Sequence, residues 1–260
     1  VPVREMSNII ISATATTGFL LFPLLLALSP FRGGDSYNSK ATYYGSPDSL
    51  GTPNGACGYG GYGSTVLGGA VAGVPWRHFL NGSLCGACYH LKCAPQNLCS
   101  NDGTNVVVTD AAGARHAEFI LSGRAYAQLA RPGLAARLLA MGVVEVESRR
   151  IPCRFPGYNL HVMVHEYSRK EEYLAVSILY QGGDYQLSAA EIVQEEQGES
   201  LPMGKSFGSV WELSNPPAGD LSLKLQLLAP NGAHKSVKLT NVIRADWEGG
   251  SVYDSNVQIY

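Results

Sequence analysis

The sequence has few charged residues and no excess of positive charge. Asp, Glu, Lys and Arg make up 15% of its 260 residues, compared with about a quarter in an average globular protein. The 19 basic residues are nearly balanced by 21 acidic residues, which gives a formal net charge of -2. Because nucleic acids are held mainly by clustered positive charge, we expect no nucleic-acid partner. The 30 glycines, 14 prolines and 14 tyrosines instead indicate strands, turns and loops.

Cysteine is missing from the whole chain beyond residue 153. The six cysteines lie in one central segment and are Cys57, Cys85, Cys88, Cys93, Cys99 and Cys153. An even number in one stretch predicts three disulfide bonds within one domain, although six cysteines allow 15 pairings. Cys85 and Cys88 also have the CxxC spacing of thiol oxidoreductases and metal sites, but a turn precedes them and a strand-like sequence follows. The disulfide interpretation is therefore favoured over a redox or metal site.

The longest apolar stretch lies within the first thirty residues. Residues 9–28 are almost uncharged and follow Arg4. A membrane anchor needs about 20 apolar residues in a helix, whereas three threonines, Gly18 and Pro23 interrupt this run and leave a block of signal-peptide length. We assign residues 1–35 to a signal peptide and leader, and we expect a secreted protein with no membrane attachment once the signal is removed.

The remaining sequence predicts two β-rich domains. In the first, β-branched and aromatic runs predict strands at 41–45, 105–109, 116–121 and 143–150, and Ser122 is a candidate helix cap. In the second, alternating apolar residues predict strands at 160–164, 173–180, 221–227 and 237–240. The second set is typical of a β-sandwich. We place the domains at residues 36–157 and 158–260.

Several short motifs are spread over nearly all of the chain that follows the leader. They are Thr42-Tyr-Tyr-Gly45, Asn54-Gly-Ala-Cys-Gly-Tyr59, Cys85-Gly-Ala-Cys88, Thr109-Asp110, Ala245-Asp-Trp247 and Ser255-Asn-Val-Gln258. Together they resemble plant expansins, and the stretch 173–183 most resembles the expansin-like B branch. The resemblance implies a mainly all-β chain, with a six-stranded double-psi β-barrel followed by an immunoglobulin-like β-sandwich that binds carbohydrate. It also implies disulfide bonds between Cys57 and Cys85, Cys88 and Cys153, and Cys93 and Cys99.

The resemblance further implies a polysaccharide groove on the barrel, lined by Tyr43, Tyr44, Asp110 and Glu118. The same barrel resembles inverting endoglucanases, which need two carboxyl groups roughly 6.5 to 9.5 Å apart. Asp110 matches one acidic position, but the aspartate that corresponds to the catalytic acid is replaced here by Ile120, so no catalytic residue is assigned. Glu118 is either a displaced groove carboxylate or a solvated rim residue. Of Tyr43 and Tyr44, strand alternation places one in the core.

In the second domain, the resemblance implies a carbohydrate platform formed by Tyr173 and Phe207. β-expansins carry Trp at the second position, so we expect weaker binding to crystalline cellulose. Trp211 and Trp247 are assigned to the sandwich core. Asn81 begins an Asn-Gly-Ser sequon on a turn and is a predicted N-glycosylation site.

These observations predict a secreted, monomeric glycoprotein of the plant cell wall. We expect it to bind cellulose and matrix glycans and to loosen the wall without hydrolysis, and therefore not to be an enzyme. The histidines are scattered and the carboxylates do not cluster, so no metal centre and no other cofactor is expected. Two alternatives remain: a glycan-binding wall protein without loosening activity, and a weak inverting β-glucanase that uses Glu118 as a displaced acid.

Overall fold

The computed structural model describes residues 36–113, 116–194 and 198–260. Residues 1–35, assigned above to the signal peptide and leader, lie outside the described residues. In the three described ranges, no helix is long and apolar enough to cross a membrane.

Six strands close into a barrel. They are β1 (Ser36–Tyr43), β2 (Val71–Val74), β3 (Cys88–Cys93), β4 (Thr104–Ala111), β5 (Phe119–Leu121) and β6 (Val144–Ile151). Their order around the barrel is β1-β5-β2-β4-β3-β6, in which β1 with β5 and β2 with β4 are parallel pairs. Small and branched side chains such as Ala41, Ala72, Val106, Val108 and Leu121 fill the interior. This is the double-psi β-barrel that the resemblance implied.

Short helical segments cover the barrel. They are α1 (Tyr62–Gly69), α2 (Trp76–Phe79), a 3-10 segment at Leu80–Gly82, α3 (Gly123–Gln128) and α4 (Ala135–Leu139). Ser122 caps α3 as predicted, because its hydroxyl accepts a hydrogen bond from the Ala125 amide at 3.0 Å. From α3, the fully buried Tyr126 packs against the barrel core.

Three predicted strands in the barrel differ from the observed ones by two or more residues at an end. The strand predicted at 41–45 is Ser36–Tyr43. The strand predicted at 116–121 is only Phe119–Leu121, since His116 lies in a turn and Glu118 in a bend. The Glu118 carboxylate accepts a hydrogen bond from the Lys40 amide at 2.7 Å. At the end of the ladder with β1, the acceptor for this amide is therefore a side chain and not the main chain. In β4, the strand continues through Asp110 to Ala111 rather than stopping before Asp110.

The second half of the chain forms two sheets. Their strands are β7 (His161–Val164), β8 (Tyr173–Leu179), β9 (Gln186–Gln194), β10 (Glu199–Pro202), β11 (Gly204–Phe207), β12 (Val210–Ser214), β13 (Leu221–Leu228), β14 (His234–Ile243) and β15 (Val252–Asp254). The order is β10-β9-β13-β14 in one sheet and β11-β12-β8-β7-β15 in the other. Alternating residues of β8 and β13 meet in one apolar cluster, which also contains Trp211 and Trp247 as predicted. The two sheets therefore form the predicted sandwich.

All six cysteines form disulfide bonds. The pairs are Cys57 with Cys85, Cys88 with Cys153, and Cys93 with Cys99, which are the pairs that the resemblance implied. Cys88 opens β3 and Cys153 follows β6, so this bond joins the ends of two neighbouring strands.

The barrel and the sandwich are in direct contact through aromatic side chains. Tyr180, which follows β8, stacks on Tyr158 with ring centroids 4.2 Å apart and meets Tyr62 of α1 edge-on at 4.7 Å. The amide of Tyr180 also donates to the Tyr62 hydroxyl at 3.1 Å. Beside them, Cys153 and Gly183 exchange two backbone hydrogen bonds at 2.7 and 3.0 Å.

A glycine in the turn between β11 and β12 permits a second contact between the two parts. Gly208 has a φ of +50°, and a Cβ atom there would overlap the Ala56 carbonyl oxygen and lie 2.7 Å from the Cys57 Cα. On its other side, a Cβ at Gly82 would overlap the Gly208 carbonyl. The Ser209 amide donates to the Cys57 carbonyl at 3.0 Å. Three backbone segments thus meet where no side chain fits.

We expect Gly208→Ala to destabilise the protein more than Gly60→Ala. Gly60 has nearly the same φ, +55°, but open space around its Cβ position, so its substitution carries only the left-handed backbone penalty of roughly 1–2 kcal/mol. Gly208→Ala adds an overpacking penalty of about 1–3 kcal/mol. Chemical denaturation with the disulfides intact measures the difference, and equal losses in the two variants would contradict this account of the contact.

Candidate functional site

Four strands present a row of residues on the outside of the barrel. The strand register aligns Asp110 of β4 with Gly73 of β2, Gly73 with Ile120 of β5, and Ile120 with Thr42 of β1. Neighbouring strands lie about 4.8 Å apart, so the backbones of Asp110 and Ile120 are separated by roughly 10 Å. Ile120 is only 6% exposed and presents an apolar side chain at its end of this span.

A β-bulge turns Asp110 to the outside. Val106 and Val108 point into the barrel core, and strict alternation would direct Asp110 inwards as well. The register between β2 and β4 shifts between Val108 and Asp110, after which Ala111 returns to the core. Bulges commonly re-aim a side chain beside a functional site. Here the bulge takes the carboxylate out of the core.

The Asp110 carboxylate is held by three donors. It accepts hydrogen bonds from the Ala56 amide at 2.7 Å, from the Ala111 amide at 2.8 Å and from the Tyr44 hydroxyl at 2.9 Å. Burial, together with the neighbouring Asp110 charge, raises the pKa of Tyr44, so its hydroxyl stays protonated and remains a donor. Gly73 makes room for this contact, because a Cβ there would overlap the Tyr44 hydroxyl.

Tyr43 and Tyr44 have different positions. The Tyr43 ring packs 4.8 Å from the Tyr126 ring, and its hydroxyl donates to the Leu139 carbonyl at 3.1 Å. Tyr43 therefore packs against the barrel core, whereas Tyr44 reaches Asp110. Strand alternation separates the two neighbours in this way.

Glu118 has partners of its own. Besides the Lys40 amide, its carboxylate has Arg77 as an ion-pair partner at 3.8 Å. The structure thus brings Tyr44 and Asp110 into contact, while Glu118 bonds to a different set of groups near the start of β5.

The sandwich presents aromatic side chains on its five-stranded sheet. The Tyr173 hydroxyl donates to the Glu212 carboxylate, and burial together with this hydrogen bond raises the pKa of Tyr173 to about 12. Hydrogen bonds from Ser206 and Tyr173 lower the pKa of Glu212. The Tyr167 ring lies 6.1 Å from the Tyr173 ring and is 48% exposed. Tyr167 lies in a turn outside any alternating pattern, so sequence reasoning missed it.

Phe207 lies next to the barrel. It is 46% exposed, and its ring comes within 3.0 Å of the Cβ position of Gly58. Gly58 belongs to the loop whose Ala56 amide holds Asp110, so Phe207 and Asp110 contact the same loop. Along the sheet, two strand spacings and four residues separate Phe207 from Tyr173, which is roughly 16 Å between Cα atoms.

Two further exposed side chains lie on the barrel. Trp76, just after β2, is 63% exposed and meets Phe79 edge-on at 5.6 Å. No sequence pattern distinguished Trp76 from Trp211 and Trp247, the two tryptophans in the sandwich core. Asn81 is exposed in the 3-10 segment with a φ of +54°; its glycosylation stays a prediction.

Comparison with known proteins identifies relatives of the whole chain. The expansin C-terminal domain model matches residues 160–243. Expansin-like B1 of Arabidopsis thaliana is 44% identical over 240 residues, which cover 92% of this chain and 96% of that protein. Expansin-like B1 of Oryza sativa subsp. japonica is 33% identical over 244 residues, which cover 92% of this chain and 95% of that protein.

Solved structures show the same fold. The crystal structure of apo Clavibacter michiganensis expansin has a TM-score of 0.64 at 16% identity and covers 87% of this chain and 98% of that chain. A mutant of that expansin in complex with cellohexaose has a TM-score of 0.65 and the same coverage. With full-length relatives above 30% identity and this barrel and sandwich, the chain belongs to the expansin family, in its expansin-like B branch.

Proposed function

We propose that this protein is secreted to the plant cell wall, binds cellulose and matrix glycans along a surface shared by barrel and sandwich, and loosens the wall without hydrolysis. The observation that carries the proposal is the outer row of the barrel, in which a firmly held Asp110 faces Ile120 instead of a second carboxyl group. The cellohexaose complex of a bacterial expansin with this fold supports a glucan as the ligand.

The barrel row supports binding rather than bond cleavage. Inverting hydrolysis needs one carboxyl group to protonate the leaving oxygen and another to activate water. Ile120 can neither donate nor accept a proton. Asp110 accepts three hydrogen bonds in a fixed geometry, which suits an acceptor for sugar hydroxyl groups. Glu118 enters the proposal as a secondary sugar contact, since Arg77 and Lys40 already engage its carboxylate.

The proposed surface runs from Tyr44 and Asp110 across the loop at 55–60 to Phe207, and then to Tyr173 and Tyr167. Aromatic rings suit this role because the C–H faces of pyranose rings stack on them while the hydroxyl groups stay hydrated. A polysaccharide chain bound here loses hydrogen bonds and stacking contacts with the neighbouring polysaccharides of the wall. Loosening by this competition needs neither covalent chemistry nor a cofactor.

A second candidate function is glycan binding without loosening. Phe207 favours it, because phenylalanine offers a smaller ring than the tryptophan that β-expansins carry at this position. Weak stacking would reduce the ability of the protein to compete for cellulose chains.

We expect substitutions at Phe207 to change cellulose binding in both directions. Phe207→Trp should tighten binding, and Phe207→Ala should weaken it about fivefold, which is the effect of losing roughly 1 kcal/mol of aromatic contact. Tyr173→Phe keeps a ring and should bind more tightly than Tyr173→Ala. The control is Val252→Ala, which removes an exposed apolar side chain from β15 at the far edge of the same sheet. Depletion assays on microcrystalline cellulose measure these differences, and equal binding by all variants would exclude the platform.

The loosening activity is tested on heat-inactivated wall strips held under constant load at mildly acidic pH. The mature protein should increase the extension rate while the bath shows no release of reducing sugar. Asp110→Asn should reduce extension strongly, and Glu118→Gln should reduce it less. Sugar release that Asp110→Asn abolishes would instead indicate a glucanase, and cellulose binding without extension would establish the second candidate function.

A further inference from the structure

A cavity of about 750 Å³ lies at the rim of the barrel beside the sandwich. Its barrel side is lined by Val74, Leu84, Tyr89, Phe119, Arg149 and Arg150, and its sandwich side includes Asp184. Asp110, Tyr44 and Phe207 do not line it, and Glu118 is the one proposed sugar contact that does. Its volume lies in the range of small-molecule sites.

The floor of the cavity is aromatic. Tyr89 and Phe119 meet edge-on with ring centroids 5.2 Å apart, and Phe119 is 5% exposed. Val74 and Leu84 extend this apolar surface. A planar ring placed against such a pair makes favourable stacking or edge contacts.

The rim of the cavity carries three arginines and two carboxylates. Of the carboxylates, Glu118 is paired with Arg77 at 3.8 Å, and Asp184 contributes its backbone carbonyl to an Arg150 Nη2 donor at 3.2 Å. Among the described residues, neither Arg149 nor Arg150 has a carboxylate oxygen within 4 Å. The lining therefore has one more positive charge than negative charge, and two of its three arginines have no carboxylate partner among the described residues.

One donor at this site lacks a partner. The Nε atom of Arg150 is buried and has no hydrogen-bond acceptor among the residues that the structure describes. A buried donor without an acceptor is destabilising. Burial raises the pKa of Tyr89 and the positive charge of Arg150 partly offsets this, which is consistent with the guanidinium group lying near the aromatic floor. A carboxylate fits a guanidinium group through two parallel hydrogen bonds.

We propose that this cavity binds a small aromatic carboxylate. The ligand carboxylate bonds to the guanidinium group of Arg150 and is attracted by the charge of Arg149. The ligand ring lies against Tyr89 and Phe119. The site thus borders the proposed glucan-binding surface at Glu118 and differs from it in the charge of its ligand.

Calorimetric titration of the mature protein with 4-hydroxycinnamate and with 4-hydroxycinnamyl alcohol tests the proposal. The two probes share the ring and differ in the carboxylate. We expect the acid to bind at least about tenfold more tightly than the alcohol, which corresponds to roughly 1.4 kcal/mol. Saturating cellohexaose should not weaken the binding of the acid, because the two ligands do not compete for one site.

Two arginine variants locate the site. Arg150→Gln should abolish the preference for the acid, but it also removes the hydrogen bond to Asp184, so its folding is checked by thermal melting. Arg149 is exposed, so Arg149→Gln should keep the fold. It should weaken binding of the acid about threefold to tenfold through the loss of one rim charge. Arg137→Gln, on α4 and outside the cavity lining, is the matched control and should bind like the unmodified protein.

Three results would overturn the proposal. The first is no binding of the acid at concentrations of about 1 mM, which is weaker than most specific sites. The second is equal affinity for acid and alcohol, since the arginines would then play no part. The third is weaker binding of the acid to the Asp110→Asn variant together with unchanged binding to the Arg149→Gln variant, which would place the acid on the polysaccharide surface.

Discussion

The close approach of backbone at Gly208 determines how the two halves of this protein work together. Its turn fits between the Ala56 and Cys57 backbone on one side and Gly82 on the other. The bond between Cys57 and Cys85 joins the first of these segments to the chain just beyond the second. Phe207 reaches the barrel only because its neighbour has no side chain, and the Ala56 amide that holds Asp110 belongs to the same contact. The proposed binding residues of barrel and sandwich therefore depend on this contact.

Within the barrel, the bulge in β4 and the absence of a side chain at Gly73 have one common effect. The bulge brings Asp110 to the outside, and Gly73 lets the Tyr44 hydroxyl reach it. The carboxylate is then fixed by donors before any ligand arrives, which lowers the entropy lost on binding. Ile120 completes the row without adding a group that can transfer a proton. The same backbone that could carry two carboxyl groups thus presents one acceptor and a buried apolar residue, as the proposed non-hydrolytic binding requires.

The sequence predicted those features of the fold and the candidate site that depend on local contacts, and it missed those that depend on contacts between distant residues. The alternation at 221–227 has a period that only a half-buried strand explains, and it predicted β13 correctly. The strand predicted through Glu118 was wrong because a side chain took over a ladder hydrogen bond, which no periodicity records. Tyr167 was missed because it lies in a turn. The contact of Gly82 with Gly208 joins positions far apart in the chain, so glycine at either site looked like any turn residue.

The arginine-lined cavity lies at the interface between barrel and sandwich. Its walls come from both the barrel and the sandwich, where Arg150 donates to the Asp184 carbonyl and Cys153 pairs with Gly183. Because the Asp184 carbonyl of the sandwich holds Arg150 in place, a ligand bound to Arg150 stabilises the docked arrangement by linkage. That arrangement is also the one in which Phe207 lies beside the Asp110 loop. Occupation of the cavity would therefore favour a continuous polysaccharide surface, and the two sites would be coupled through the interface as well as through Glu118, which borders both.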